Sequence, residues 1–462
     1  MTLPVGFVVA LDRHTRVVDG GRALLGGFPT RLLRLAPRAR RLLTGRTIVV
    51  RDAASGLLAD RLLELGMANP VVDALPPNLD PRYTVVVPVR DRARQLGRLL
   101  GSVGPGHPVI VVDDGSRDPE AVAAVAARHG ARLLVLSANV GPAGARNAGL
   151  RLVTTPFVVF ADSDVVLAPD TVPTLLRHFA DPRLAMAVPR ITGLPTAAAP
   201  TWIGRYENAR SSLDLGAHPA AVRPGSPVSW ASTACAVARV DALTGGFDER
   251  MRVGEDVDLC WRLVEKGRRV RYEPTVQAAH EHRVRLGDWF RRKAVYGTGA
   301  HPLAERHPEF IAPVVLAPWS TALVTALLVQ RRWSAPAAGA VAVFTALRIA
   351  RRLDGIRHPH RLALRLTANG TVAALTQAAA LLTRHWWPLT VLGCTVSRRV
   401  RRAAAVAALA DIALEHRHGR GCLDPVRYGV ARRLDDLAYG AGVWFSAFQG
   451  RSIAALRPRI KR

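Results

Sequence analysis

A chain of 462 residues is long enough for two or three domains with a sizeable core. Its formal net charge of +28 asks for an anionic partner: a membrane surface, a phosphorylated ligand or nucleic acid. No helix-turn-helix signature, zinc-finger spacing or aromatic-interleaved basic run accompanies that charge, so nucleic acid is the weakest of the three and is not expected as a partner. The four cysteines, Cys235, Cys260, Cys394 and Cys422, lie far apart without a C-x-x-C, which argues against zinc and a disulfide framework and for reduced thiols facing the cytosol.

In chain order, MTLPVGFVVALDRHTR lacks a basic n-region and its apolar run is short, so no secretory signal is read there. Residues 1–78 hold short apolar bursts, a basic helical pattern at Arg31–Leu43 and the helix-like LLADRLLELG, and they end at the linker-like ALPPNLDPR. From Tyr83 to His307 strand-like and helix-like segments alternate: TVVVP, RARQLGRLLGSV, VIVVDD, EAVAAVAARHG, RLLVL, GARNAGLRLV and FVVFADSD. That alternation predicts βαβ units and an α/β domain over 79–307, with a mainly parallel sheet covered on both faces. Residues 308–462 are rich in alanine and leucine, and Ile311–Gln330 runs uncharged into Arg331-Arg332, long enough to span a bilayer. Trp333–Leu347, Thr367–Thr383 and Trp386–Ser397 are shorter. A helical, membrane-associated region, spanning or interfacial, is the expectation, against a buried all-helical domain.

Acids interrupt the apolar strands. FVVFADSDVVL sets Asp162 and Asp164 one residue apart, and like charges so close to a core cost several kcal/mol per ion unless compensated. VVVPVRD ends with Arg90 and Asp91, and VIVVDDGS with Asp113 and Asp114. In open α/β sheets ligands bind beyond the carboxyl ends of the strands. Three strands delivering acids to one edge describe a site; a single acidic turn would not.

The ordered set VVVPVRDR, VIVVDDGSRD, NVGPAGARNAGL, FVVFADSDVVL and GGFDERMRVGEDVDLCWRL resembles the inverting glycosyltransferase family 2 with its GT-A (Rossmann-like) fold, over about half the chain. The resemblance implies a UDP-sugar donor and a metal-dependent transfer, with Asp162, Asp164 and His280 toward Mg2+ or Mn2+ and Asp162 also near the ribose. It implies Asp114 as acceptor from a uracil-type base, with Asp113 as second choice. Pro88, Arg90 and Asp91 would line the nucleotide pocket and Arg146 would pair with the diphosphate. Asp256, beside Glu255, would be the general base, at a helix N-terminus that favours its ionised form. Trp230 would either stack on an acceptor sugar or belong to the core. Where processive members carry Q-x-x-R-W, this chain has RLGDW at Arg285–Trp289, which disfavours long polymers.

The opening segment resembles the small winged-helix modules that capture peptides by strand addition. Head, centre and the tail with RLDDLAYGAGVWFSA together resemble the mycofactocin-system branch of the family. That resemblance implies transfer of glucose from UDP-glucose to the peptide-derived redox cofactor mycofactocin or its precursor, at the cell membrane with the catalytic domain facing the cytoplasm. A cell-envelope glycosyltransferase of rhamnosyl or galactofuranosyl type, acting on a lipid-linked or polysaccharide acceptor, remains the alternative. A catalytically dead nucleotide-binding module is disfavoured by the presence of Asp162, Asp164 and Asp256.

Overall fold

The computed structural model describes residues 2–78, 80–195, 201–353, 355–418 and 423–461. The chain separates into two compact units, residues 1–198 with 211–282, and residues 199–210 with 283–462.

The first unit opens with a head: strands β1 (Val8–Leu11), β2 (Arg16–Val18), β3 (Ala23–Gly26) and β4 (Arg31–Arg34), helix α1 (Pro37–Leu42), β5 (Thr47–Val49), helix α2 (Ala53–Glu64) and β6 (Ala68–Pro70). These form two small antiparallel sheets, β5-β1-β6 and β2-β3-β4. Helix α2 takes up the LLADRLLELG pattern. Asp52 caps it by accepting from Ser55 N at 2.8 Å, while Ser55 Oγ accepts from Asp52 N at 3.0 Å. The basic pattern at Arg31–Leu43 is not one helix. Leu32 and Leu33 pair with Leu25 and Leu24 as strand, and the helix begins only at Pro37, whose fixed φ suits a first helical position. Phe7, Val9, Leu24, Ile48, Leu62 and Met67 fill the head's own core.

The central layer follows: β7 (Tyr83–Val89), α3 (Ala93–Val103), β8 (Val109–Asp113), α4 (Pro119–Arg128), β9 (Arg132–Val135), α5 (Gly141–Leu150), β10 (Phe157–Ala161), β11 (Val165–Leu167), α6 (Thr171–Arg177) and β12 (Leu184–Gly193). Helix α7 (Trp202–Arg210) belongs to the second unit, and β13 (Ala220–Ala221), β14 (Cys235–Arg239), α8 (Glu255–Glu265) and β15 (Arg269–His280) complete the first. The sheet order is β11-β15-β12-β14-β10-β7-β8-β9, with β13 on β15. Strands β7, β8, β9 and β10 are mutually parallel, whereas β14 runs antiparallel to β10 and β12, and β11 to β15. The sheet is therefore mixed, where a mainly parallel one was expected. Parallel neighbours need a crossover of a dozen or more residues. The helical links from β7 to β10 supply it, but only Asp162, Ser163 and Asp164 separate β10 from β11, so the chain turns and pairs elsewhere. Helix α5 lies close on the sheet: a Cβ on Gly149 would stand 2.4 Å from Val86 Cγ1.

The second unit adds to α7 the helices α9 (Leu286–Thr298), α10 (Ala300–Arg306), α11 (Pro318–Val329), α12 (Ser334–Arg352), α13 (Pro359–Ala380), α14 (Trp387–Val396), α15 (Arg398–His418) and α16 (Pro425–Gln449), with β16 (Val315–Leu316) paired to β17 (Arg459–Ile460). The uncharged run Ile311–Gln330 does not make a spanning helix. Strand β16 consumes its start and Pro318 opens a helix of only 12 residues, about 18 Å long. Among the described residues no helix is long and apolar enough to cross a membrane, which corrects the spanning expectation.

Candidate active site

Parallel pairing of β7, β8 and β10 puts the residues after their carboxyl ends on one edge. At the end of β7, Pro88 is half-buried and Arg90 exposed. Asp91 takes a left-handed φ of 56°, which aspartate tolerates better than most residues. Its N–H donates to Ser116 Oγ at 2.9 Å and its Oδ1 accepts from Arg117 N at 2.7 Å. Asp91 thus ties the loop after β7 to the loop after β8.

The two acids at the end of β8 have different surroundings. The Asp114 carboxylate accepts from Asn139 Nδ2 at 2.6 Å, Val140 N at 2.7 Å and Gly141 N at 3.0 Å, holding the start of α5. Those contacts make Asp114 a cap for α5 and leave one lone pair of Oδ1 for a further donor. Asp113 accepts from Ser116 N at 2.9 Å through Oδ1, and its buried Oδ2 has no hydrogen-bond partner among the described residues. An orphaned carboxylate oxygen at that depth is costly unless a ligand or water supplies a donor.

Arg146 on α5 is the hub. It is buried, donates from Nη2 to Asp162 Oδ1 at 2.6 Å and from Nη1 to Glu255 Oε1 at 2.8 Å, and stacks over Phe247. Burial works against its charge, but the carboxylates of Asp162 and Glu255 outweigh it and hold the guanidinium firmly protonated. Arg146, expected to pair with the diphosphate, here joins the acid of the β10 turn to the acid that opens α8. Its neighbour Asn147 clamps the segment before α8, accepting from Phe247 N at 2.8 Å and donating to Phe247 O and Glu249 Oε1 at 2.9 Å each.

Asp256 sits in the first turn of α8. Gly254, just before that turn, has φ 84°, a value that favours glycine, and so aims the two acids. Burial first, then the neighbouring Glu255 charge, pushes the Asp256 carboxyl up to about 7, with Arg146 opposing. Its Oδ1 accepts only the adjacent Val257 N at 2.8 Å. Asp258 takes another role, accepting from Arg262 Nε at 2.7 Å. Trp230 is half-buried, and its chain neighbours Ser229 and Ala231 accept from Trp261 Nε1 at 2.7 Å and Cys260 Sγ at 3.5 Å on α8. Burial pushes the Cys235 and Cys260 thiols up to about 12, which leaves both unreactive.

Register explains how His280 arrives. Strand β11 pairs with β15 so that Val165 faces His280, and Glu281 N donates to Asp164 O at 3.1 Å. His280 Nε2 then lies 3.6 Å from Asp164 Oδ2. Arg92, at the start of α3, also pairs with Asp164. Sequence reasoning passed over Arg92, although it stands in the same VVVPVRDR stretch, two residues past Arg90. Among the described residues no group of three or more His, Cys, Asp or Glu side chains is gathered to hold a metal by itself. Of the three expected ligands, Asp164 and His280 converge, and Asp162 is engaged by Arg146.

Residues 84–215 match the profile described as Glycosyl transferase family 2, and residues 157–396 the one described as Glycosyl transferase family group 2. The pre-mycofactocin glycosyltransferase of Mycobacterium tuberculosis (strain ATCC 25618 / H37Rv) is 44% identical over 469 residues, covering 99% of this chain and 99% of that protein. An N-acetylglucosaminyltransferase of Mesorhizobium japonicum is 27% identical over 46% of this chain and 54% of its own. A solved mannosyltransferase from Pyrobaculum calidifontis, in complex with GDP-Man and Mn2+, covers 65% of this chain and 88% of its own at 23% identity and TM-score 0.38. With one family profile matching more than half of the chain and a relative so similar along its length, the chain belongs to glycosyltransferase family 2.

Proposed function

We propose that this glycosyltransferase moves glucose from UDP-glucose onto mycofactocin or its peptide-derived precursor, with inversion at the anomeric carbon. The observation that carries the reading is Asp256, a carboxyl in the first turn of α8 that burial pushes up to about 7 and whose neighbour Glu255 shares the Arg146 hub with Asp162. A group so poised takes a proton from an acceptor hydroxyl efficiently at neutral pH. The hydroxyl oxygen bonds to C1 on the face opposite the diphosphate as the C1–O bond to the diphosphate breaks, and the proton passes to Asp256. Asp113, with its unpartnered Oδ2, receives the base N–H.

A metal fits the donor chemistry. Asp164 and His280 would hold the ion, Asp164 exchanging its Arg92 partner for the metal, and one carboxylate with one imidazole suits Mn2+ better than Mg2+. Bound there, the ion would supply Lewis-acid stabilisation of the departing diphosphate. The acceptor is supported by the relative named as a pre-mycofactocin glycosyltransferase, and the donor by the family resemblance. A peptide segment of the acceptor would add to an edge strand of the head.

The test is incubation of the purified protein with UDP-glucose, divalent metal and the peptide-derived acceptor. One hexose added, in the inverted configuration, is the expected product. Transfer only to a lipid-linked acceptor would instead select the cell-envelope reading, which the exposed apolar helices of the second unit favour.

A further inference from the structure

Helices α12 to α14 of the second unit are packed the wrong way round for water. The residues that α12 and α13 bury are small: Ala338, Thr345, Ala350, Ala363, Thr367 and Ala374. Helix α14 buries none. The large apolar side chains point outward instead, with Phe344 67% and Val396 86% exposed, and Leu347, Leu364, Val372 and Leu392 likewise open. Soluble proteins bury leucine, valine and phenylalanine first, and apolar faces left open over several adjacent helices mark an interaction surface.

Charge identifies the occupant. Between Ile311 and Ala410 the sequence holds 13 arginines and a single carboxylate, Asp354. Arg348, Arg351, Arg361, Arg365, Arg398 and Arg402 are all exposed. A second copy of this chain would bring arginine against arginine across a self-complementary interface, which is repulsive. An anionic lipid surface neutralises those charges and accepts the apolar side chains together. Among the described residues no helix is long and apolar enough to cross the bilayer. We propose that α12, α13, α14 and the arginine-rich start of α15 lie in the interface of an anionic bilayer, apolar side chains in the acyl boundary and arginines at the headgroups, as a monotopic anchor.

Vesicle flotation of the full chain tests this, using phosphatidylcholine alone and phosphatidylcholine mixed with phosphatidylglycerol. The protein should float with the mixed vesicles, much less with the neutral ones, and more weakly as salt rises. Phe344→Ser with Leu392→Ser should lower the bound fraction by about tenfold or more, since two apolar side chains lose their burial. Arg398→Gln with Arg402→Gln should cost about fivefold per arginine on anionic vesicles and little on neutral ones. None of the four positions belongs to the active site, so transfer to a soluble acceptor should persist and report that the variants fold. Failure to float with anionic vesicles overturns the proposal. So does flotation that both double variants leave unchanged, or self-association that Phe344→Ser abolishes without vesicle binding.

Discussion

At the scale of single residues, Asp256 links chemistry to stability. Its carboxyl keeps a proton in the folded state up to about pH 7, while an unfolded aspartate releases it near 4. The folded state therefore binds more protons between those values, and stability falls as pH rises through that window. Asp256→Asn should abolish transfer, spare UDP binding, and raise Tm by a few degrees at pH 8 but not at pH 4; calorimetry beside a turnover assay checks all three. In the parent, kcat should rise with pH to a plateau above about 7. Arg146→Gln removes the countercharge from Asp162, Glu255 and Asp256 at once, so the acid limb of that profile should move to higher pH. It should also cost about 3–5 kcal/mol of stability, because a buried pair loses one partner. Chelation with EDTA should stop turnover and added Mn2+ restore it, and His280→Ala should raise the metal concentration required by about tenfold or more. Motif order in the sequence singled out Asp256, Asp164 and His280, and the structure places Asp256 in the first turn of α8 and His280 beside Asp164. The pairs of Arg146 with Asp162 and Glu255 were not legible, because a sequence shows a cation near phosphate motifs but not which carboxylates the fold carries to it.

At the scale of elements, the second unit is held by a buried ionic cluster that motif reading missed. Lys293 on α9 lies 2.9 Å from Glu207 on α7 and 3.8 Å from Asp435 on α16, and Tyr206 donates to Asp435 at 3.1 Å. Arg432 reaches Asp411 at 3.0 Å and Asp436 at 3.2 Å, and Arg384 reaches Asp436 at 3.1 Å. Burial opposes the charge on Asp435, but Lys293, Arg384 and Arg432 outweigh it and hold that carboxyl below the usual range; at Asp436 burial prevails and raises it. Asp436→Ala should destabilise the protein by about 3–5 kcal/mol in denaturant titration, while Asp80→Ala, which breaks the exposed Arg82 pair, should leave the midpoint almost unmoved. The RLDDLAYG stretch was visible as a resemblance only. Its aspartates look like a solvated helix face until α7, α9 and α15 are placed around them.

At the scale of the whole molecule, the head is built into the unit that carries the active site. Arg269 on β15 meets Asp60 of α2 at 2.6 Å and Asp181 at 2.8 Å, Arg183 meets Glu64 at 3.0 Å, and buried Arg271 donates to Asn69 Oδ1 at 3.1 Å. Burial and the neighbouring Arg269 charge already lower the Arg271 guanidinium to about 10. A chain shortened by residues 1–78 should therefore aggregate or melt well below the parent, and equal Tm values would show the head to be dispensable to the fold. Here the division between sequence and tertiary structure is plain. Local pattern by itself determined the alternating strands and helices from Tyr83 to Ala161, the glycosyltransferase motifs and the acids at strand ends, because period, turn chemistry and strand exits act over a few residues. Only the tertiary structure decided that the sheet is mixed, that Asp114 caps α5 while Asp113 is buried, and that Arg146 joins Asp162 to Glu255. It also decided that the uncharged run breaks at Pro318, and that the large side chains of α12 to α14 face outward. Each of those depends on what residues distant in the chain bring alongside, through pairing direction, burial and charge, and no local pattern contains that information.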